Sequence, residues 1–80
     1  TLQPNPARDE VWLELGVQEA GQWSVIIAGI DGRKYAQLPA VSWSTGRQRM
    51  VLPIKKLEPG VYFVQLVSAT EVVARKLVKQ

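Results

Sequence analysis

Two aspartates and five glutamates are the main side chains in this 80-residue sequence able to take or give a proton near neutral pH. Histidine and cysteine are absent, which removes Ser-His-Asp and Cys-His relays and most zinc arrangements. A paired-carboxylate hydrolase needs two acids facing each other across a cleft. Asp9 and Glu10 are chain neighbours that point to opposite faces of a strand, and Glu14 and Glu19 flank a turn. An 80-residue body also leaves little room for such a cleft. Asp31-Gly32-Arg33 carries a single glycine, which signals a hairpin turn rather than a phosphate loop. The chemistry is therefore read as recognition, not catalysis, with no metal and no cofactor.

Recognition falls to aromatic and basic side chains. Trp23 is in phase with Val25 and Ile27 and is expected in the core, whereas Trp12 is out of phase with Val11 and Leu13. Trp43, between Ser42 and Ser44, is expected to be the most exposed aromatic. Such a ring serves packing, a protein contact or stacking on a sugar. Tyr62 alternates with Val64 and Leu66 and reads as a core tyrosine whose hydroxyl meets a backbone partner. Residues 1–45 carry three basic and five acidic side chains, and residues 46–80 carry seven basic and two acidic ones, for a total of +3. A basic half suits phosphate, acidic lipid or an acidic protein surface, or it simply protects strand edges. No aromatic platform is interleaved with the bases, so nucleic acid is not an expected partner.

The elements that must position these groups are strands, because apolar residues recur with a period of two. Val11–Leu15, Gln22–Ile27, Arg33–Leu38, Arg47–Ile54, Val61–Val67 and Val72–Lys79 alternate in this way, with Val41–Trp43 a weaker edge-like segment. Gly16 is expected to end the first run, Pro39 to interrupt the third, and Pro53 to lie at a strand end or edge. Asp31-Gly32 predicts a two-residue turn, and Leu57-Glu58-Pro59-Gly60 a type II turn. Val61–Val67 is the most β-prone stretch and the expected central strand. Six or seven short strands and no helix predict an all-β fold, an antiparallel immunoglobulin-like β-sandwich of about seven strands in one domain spanning residues 1–80. No apolar run reaches the roughly 20 residues that span a bilayer, and no signal-peptide pattern opens the sequence. The chain is read as a piece cut from a longer protein.

Two features remain. Pro4-Asn5-Pro6 lacks two backbone donors and cannot lie inside a ladder, so it is placed at a kink between a short edge segment, Leu2-Gln3, and the first full strand. At the other end, Val72–Lys79 alternates on both faces with mixtures of apolar and basic residues, so the pattern leaves its inward face open.

Taken together, the opening Pro4-Asn5-Pro6-Ala7, the Gly32-Arg33 hairpin, Leu57-Glu58-Pro59-Gly60-Val61-Tyr62-Phe63-Val64 and the closing Lys76-Leu77-Val78-Lys79-Gln80 resemble one family. It is the C-terminal sorting domain of proteins exported by the type IX secretion system of Bacteroidota, and the match runs through the whole chain. Ala28-Gly29-Ile30-Asp31-Gly32 departs from the family's more usual aromatic-Asp approach to the hairpin. The resemblance implies a protein-export address carried behind a cargo domain. Such a domain passes through the periplasm and meets an outer-membrane translocon, with shuttle and sortase proteins, on its way to the outer membrane, the cell surface or the medium. It also implies Gly60, Tyr62, Lys76, Leu77, Val78, Lys79 and Gln80 as recognition residues. The last strand is expected to present a free backbone edge for strand addition, or to pair across a homodimer. The alternative is a carbohydrate-binding or adhesion sandwich working through Trp43 or Trp12.

Overall fold

Alternation becomes architecture directly in the computed structural model, which describes residues 1–80. Seven strands form: β1 (Leu2–Gln3), β2 (Glu10–Val17), β3 (Gly21–Gly29), β4 (Lys34–Trp43), β5 (Gly46–Pro53), β6 (Gly60–Val67) and β7 (Val72–Lys79). They make two sheets, ordered β1-β2-β5 and β4-β3-β6-β7, with every strand pairing antiparallel. The two sheets form an immunoglobulin-like sandwich, as the spacing of strands and turns predicts.

The inward residues alternate on each strand. Val11, Leu13, Val17 and Leu52 come from the first sheet, and Trp23, Val25, Ile27, Val64, Leu66 and Leu77 from the second. All are buried, and most are fully so. Removing these side chains from water is the main drive to fold, and without a disulfide no covalent constraint supplements it. β6 lies between β3 and β7, so the most β-prone stretch is indeed central.

Four local expectations are corrected. β2 does not stop at Gly16 but runs to Val17, because Gly16 still pairs with Arg47. Pro39 does not interrupt its strand. β4 is an edge strand, and a bulge opposite Ser24 takes up the proline, whose missing donor costs nothing on an open edge. The β3–β4 turn is not a two-residue one, since only Gly32 has positive φ, at 85°. Gly32 N–H donates to the Gly29 carbonyl at 3.0 Å and Gly29 N–H to that of Arg33 at 2.8 Å, the pattern of a turn closed by a glycine bulge. The Asp31 carboxylate adds a bond from Arg33 N–H at 3.0 Å. Finally, the hydrogen-bonded turn before β6 is Ile54–Leu57, where Leu57 N–H donates to the Ile54 carbonyl at 3.0 Å. Gly60 already belongs to the strand, at φ 156°.

Neighbours on β5 face opposite ways and give a direct test. Leu52→Ala should cost about 2–5 kcal/mol through lost burial and the cavity left behind. Val51→Ala, on the solvent side, should change stability by less than about 0.5 kcal/mol. Urea denaturation of both variants measures the difference.

Candidate functional site

β7 is an outer strand, so its backbone has one partner strand, β6. Burial settles its faces. Leu77 is fully buried and Lys79 is only 8% exposed, while Val72, Ala74 and Lys76 are exposed. The inward face is therefore that of Val73, Leu77 and Lys79, with Arg75 sharing its parity but staying exposed. Sequence alone left this open because Lys79 and Arg75 look like solvent residues.

The outer edge of β7 is where the chain's opening comes back. Leu2 is anchored in the first sheet, paired with Leu13. Pro4-Asn5-Pro6 then crosses to the second sheet, with the peptide bonds before both prolines cis, and Ala7 forms a parallel bridge with Lys79. The Asn5 side chain donates from Nδ2 to the Lys76 carbonyl at 2.9 Å and accepts from Val78 N–H at Oδ1 at 2.9 Å. Ala7 N–H donates to the Val78 carbonyl at 2.9 Å, and Gln80 N–H donates to the Ala7 carbonyl at 2.8 Å. Ala7 is buried beneath this contact. The Lys79 ammonium reaches back to donate to the Arg8 carbonyl.

The expected open tail is thus corrected. Leu77, Val78, Lys79 and Gln80 are packed or capped, and Lys76 is capped at its carbonyl alone, because Leu77 and Lys79 point inward and Asn5 and Ala7 cover the edge outside them. The part of the edge left without a neighbour is the first half of β7. Val78 bonds outward, so by alternation Val72 and Ala74 present their N–H and C=O outward as well. The Ala74 carbonyl receives only the Arg75 guanidinium, at 2.8 Å. Beside this edge stand Val72, 72% exposed, and the solvated Lys76.

Gly60 and Tyr62 lie across the ladder from the same segment, paired with Lys79 and Leu77. Tyr62 is a core residue with its hydroxyl donating to the Glu58 carbonyl at 2.6 Å. This is the tyrosine-corner arrangement of immunoglobulin-like sandwiches. Tyr35, which sequence reasoning passed over, meets Tyr62 edge-on at 5.3 Å and 90°. Gly29 makes room for it, since a Cβ there would sit 2.8 Å from the Tyr35 ring. Burial raises the Tyr62 hydroxyl above its ordinary 10.0, and Tyr35 and then Glu58 push the same way.

Of the three tryptophans, only Trp43 departs from expectation. Trp23 is core. Trp43, expected to be the most exposed, is half-buried against it with ring centroids 6.0 Å apart. Trp12 is the exposed one, at 43%, but the Arg49 guanidinium lies 4.8 Å over its ring. Glu14 holds Arg49 at 3.5 Å and Arg47 at 3.4 Å. Neither ring offers a clear stacking face.

The first half of β7 thus presents backbone donors and acceptors that no strand of this sheet pairs with. A family model described as a secretion system C-terminal sorting domain matches the chain over residues 1–80. No curated protein matches it.

A raised tyrosine pKa means that the neutral hydroxyl is favoured in the folded state. That stability is fully present below the unfolded value of 10.0 and is lost as pH rises through the higher folded value. Tyr62→Phe should cost about 1–2 kcal/mol at pH 7 and should flatten part of the wild-type loss of stability as pH rises above the unfolded value of 10.0. Urea midpoints across that range, wild type against variant, give the comparison.

Proposed function

Since the chain belongs to the family of C-terminal sorting domains that address proteins to the type IX secretion system, we propose that the machinery reads this member along the edge of β7. The family's role is that of a signal for export to the cell surface or the medium, and it implies no catalysis. In the proposed route, residues 1–80 follow a cargo domain in a longer protein, cross the periplasm with it and reach an outer-membrane translocon. Shuttle and sortase proteins then take over the attached cargo.

One observation carries the residue-level reading. β7 closes its sheet with one side unpaired by any strand from Val72 to Lys76. An incoming extended segment gains main-chain hydrogen bonds there, while the outward side chains of Val72, Ala74 and Lys76 supply selectivity. Leu77, Val78, Lys79 and Gln80 extend the same track. Gly60 and Tyr62 act by position: they fix the end of β6 against Lys79 and Leu77 and so hold the track straight. The alternative of glycan binding loses its platform, because Arg49 roofs Trp12 and Trp43 packs on Trp23.

Deleting the last five residues is a poor test, since it removes the buried Leu77 and mixes unfolding with recognition. Ala74→Pro is cleaner. Proline on an edge removes an outward donor without breaking the β6–β7 ladder. A reporter fused to this domain should lose about tenfold or more of its surface display, while the purified variant keeps its β-sheet circular dichroism. Display equal to wild type overturns strand addition at this edge.

A further inference from the structure

The segment Pro4–Ala7 fills a place shaped for a strand without being one. A pairing strand uses successive backbone groups, but two of these four residues are prolines. The Asn5 carboxamide substitutes for a peptide group, giving one donor and one acceptor to β7. Ala7 supplies the other two bonds. These four bonds satisfy the outward groups of Val78, the Lys76 carbonyl and the Gln80 N–H. They leave the Lys76 N–H and both groups of Ala74 without a strand partner. A continuous strand along β7 would make every bond the segment makes and add those it cannot make.

Lys79 points to the nature of that strand. The residue is buried, and its part-buried ammonium donates to one uncharged acceptor, the Arg8 carbonyl. Both ion pairs of the molecule belong to Glu14, so no carboxylate compensates Lys79. A part-buried cation held only by a neutral acceptor gains from an opposite charge brought beside it. Asp9 stays tied to Ile54 N–H at 2.9 Å, so departure of the Pro4–Ala7 segment removes Ala7 from opposite Lys79 and leaves the ammonium at the edge next to Lys76 with no acid beside it.

We propose that Pro4–Ala7 is a displaceable placeholder on β7, and that the segment replacing it is an extended peptide bearing a carboxylate that pairs with Lys79. The inference rests on the strand-addition reading and adds its regulation and the chemistry of its partner. In the resting domain the placeholder keeps the second half of the edge closed; the open half, Val72 to Lys76, gives the incoming segment its first hold. Addition then proceeds along β7 and peels Asn5 and Ala7 away.

The test uses the whole domain, purified for amide exchange and fused to a reporter for export. Asn5→Ala removes two bonds, so the Val78 amide should exchange about tenfold faster or more. Amides of β7 bonded to β6 should keep their protection, and reporter export under limiting machinery should rise severalfold. Asn5→Asp keeps the acceptor for Val78 N–H and loses the donor to Lys76, so it should fall between. Lys79→Met retains an apolar stem and removes the charge. It should melt at or above the wild-type temperature yet export about tenfold less. Faster exchange at Val78 with unchanged or reduced export in Asn5→Ala overturns the placeholder. Full export of Lys79→Met overturns the acidic partner. Both results can occur while Ala74→Pro still blocks display, in which case strand addition stands and only the present inference falls; normal display of Ala74→Pro removes the reading beneath it.

Discussion

A four-stranded open sheet must end somewhere, and here half of its last edge is closed by one side-chain amide and one alanine backbone. Asn5 bonds to the backbone of Lys76 and Val78, positions 71 and 73 residues away in sequence. Prolines on either side of it withhold backbone donors, so the side chain does what the main chain cannot. The same short segment joins the two sheets, because Leu2 is anchored on β2 while Ala7 bridges to β7. Contacts of such sequence separation carry a large loop-closure cost unless the intervening strands have already brought the ends together. The opening of the chain and its close therefore become ordered together, and whatever disturbs one reaches the other.

The body that carries this closure is small, and its polar groups show where packing took precedence. Tyr62 is buried with its hydroxyl satisfied by the Glu58 carbonyl, which ties the loop before β6 to the strand itself. Trp23 is less well served: its indole N–H is buried without a partner. An unmet donor costs about 1–3 kcal/mol. The ring compensates through its area in the core and its contact with Trp43.

Strand content was readable because alternation survives wherever one face meets the core, as in Val61–Val67 and Gln22–Ile27. Leu2-Gln3 was also placed correctly, since the prolines after it allow little else. The last strand defeated the same method. A lysine counts as a solvent residue in any pattern, yet Lys79 lies inside because its ammonium finds a carbonyl 71 residues away. No local signal encodes that partner. Pro39 and Gly16 misled for a related reason: both are tolerated when a neighbour strand, or an open edge, absorbs the irregularity. Trp43 looked exposed beside two serines because its partner, Trp23, is two strand positions from the other end of a hairpin and invisible in the local spacing. The Pro4–Ala7 motif was legible as a kink, but its bonds to β7 belong to tertiary structure alone.

The uneven charge gains a physical sense from the same topology. Of the seven bases in residues 46–80, Arg47 and Arg49 are shared by Glu14 on the outer face of the first sheet. Arg75, Lys76 and Lys79 gather on β7, where no acid pairs with them. Cations on an edge strand oppose the pairing of that edge with its own copy, a common protection against aggregation. Arg75 adds to this by laying its guanidinium on the Ala74 carbonyl, one of the few outward acceptors left free. Repulsion between like edges and attraction toward an acidic one are two consequences of a single charge distribution. A cationic, half-covered edge serves both ends at once: it resists pairing with its own copy and, on the strand-addition proposal, leaves backbone groups free for an acidic segment.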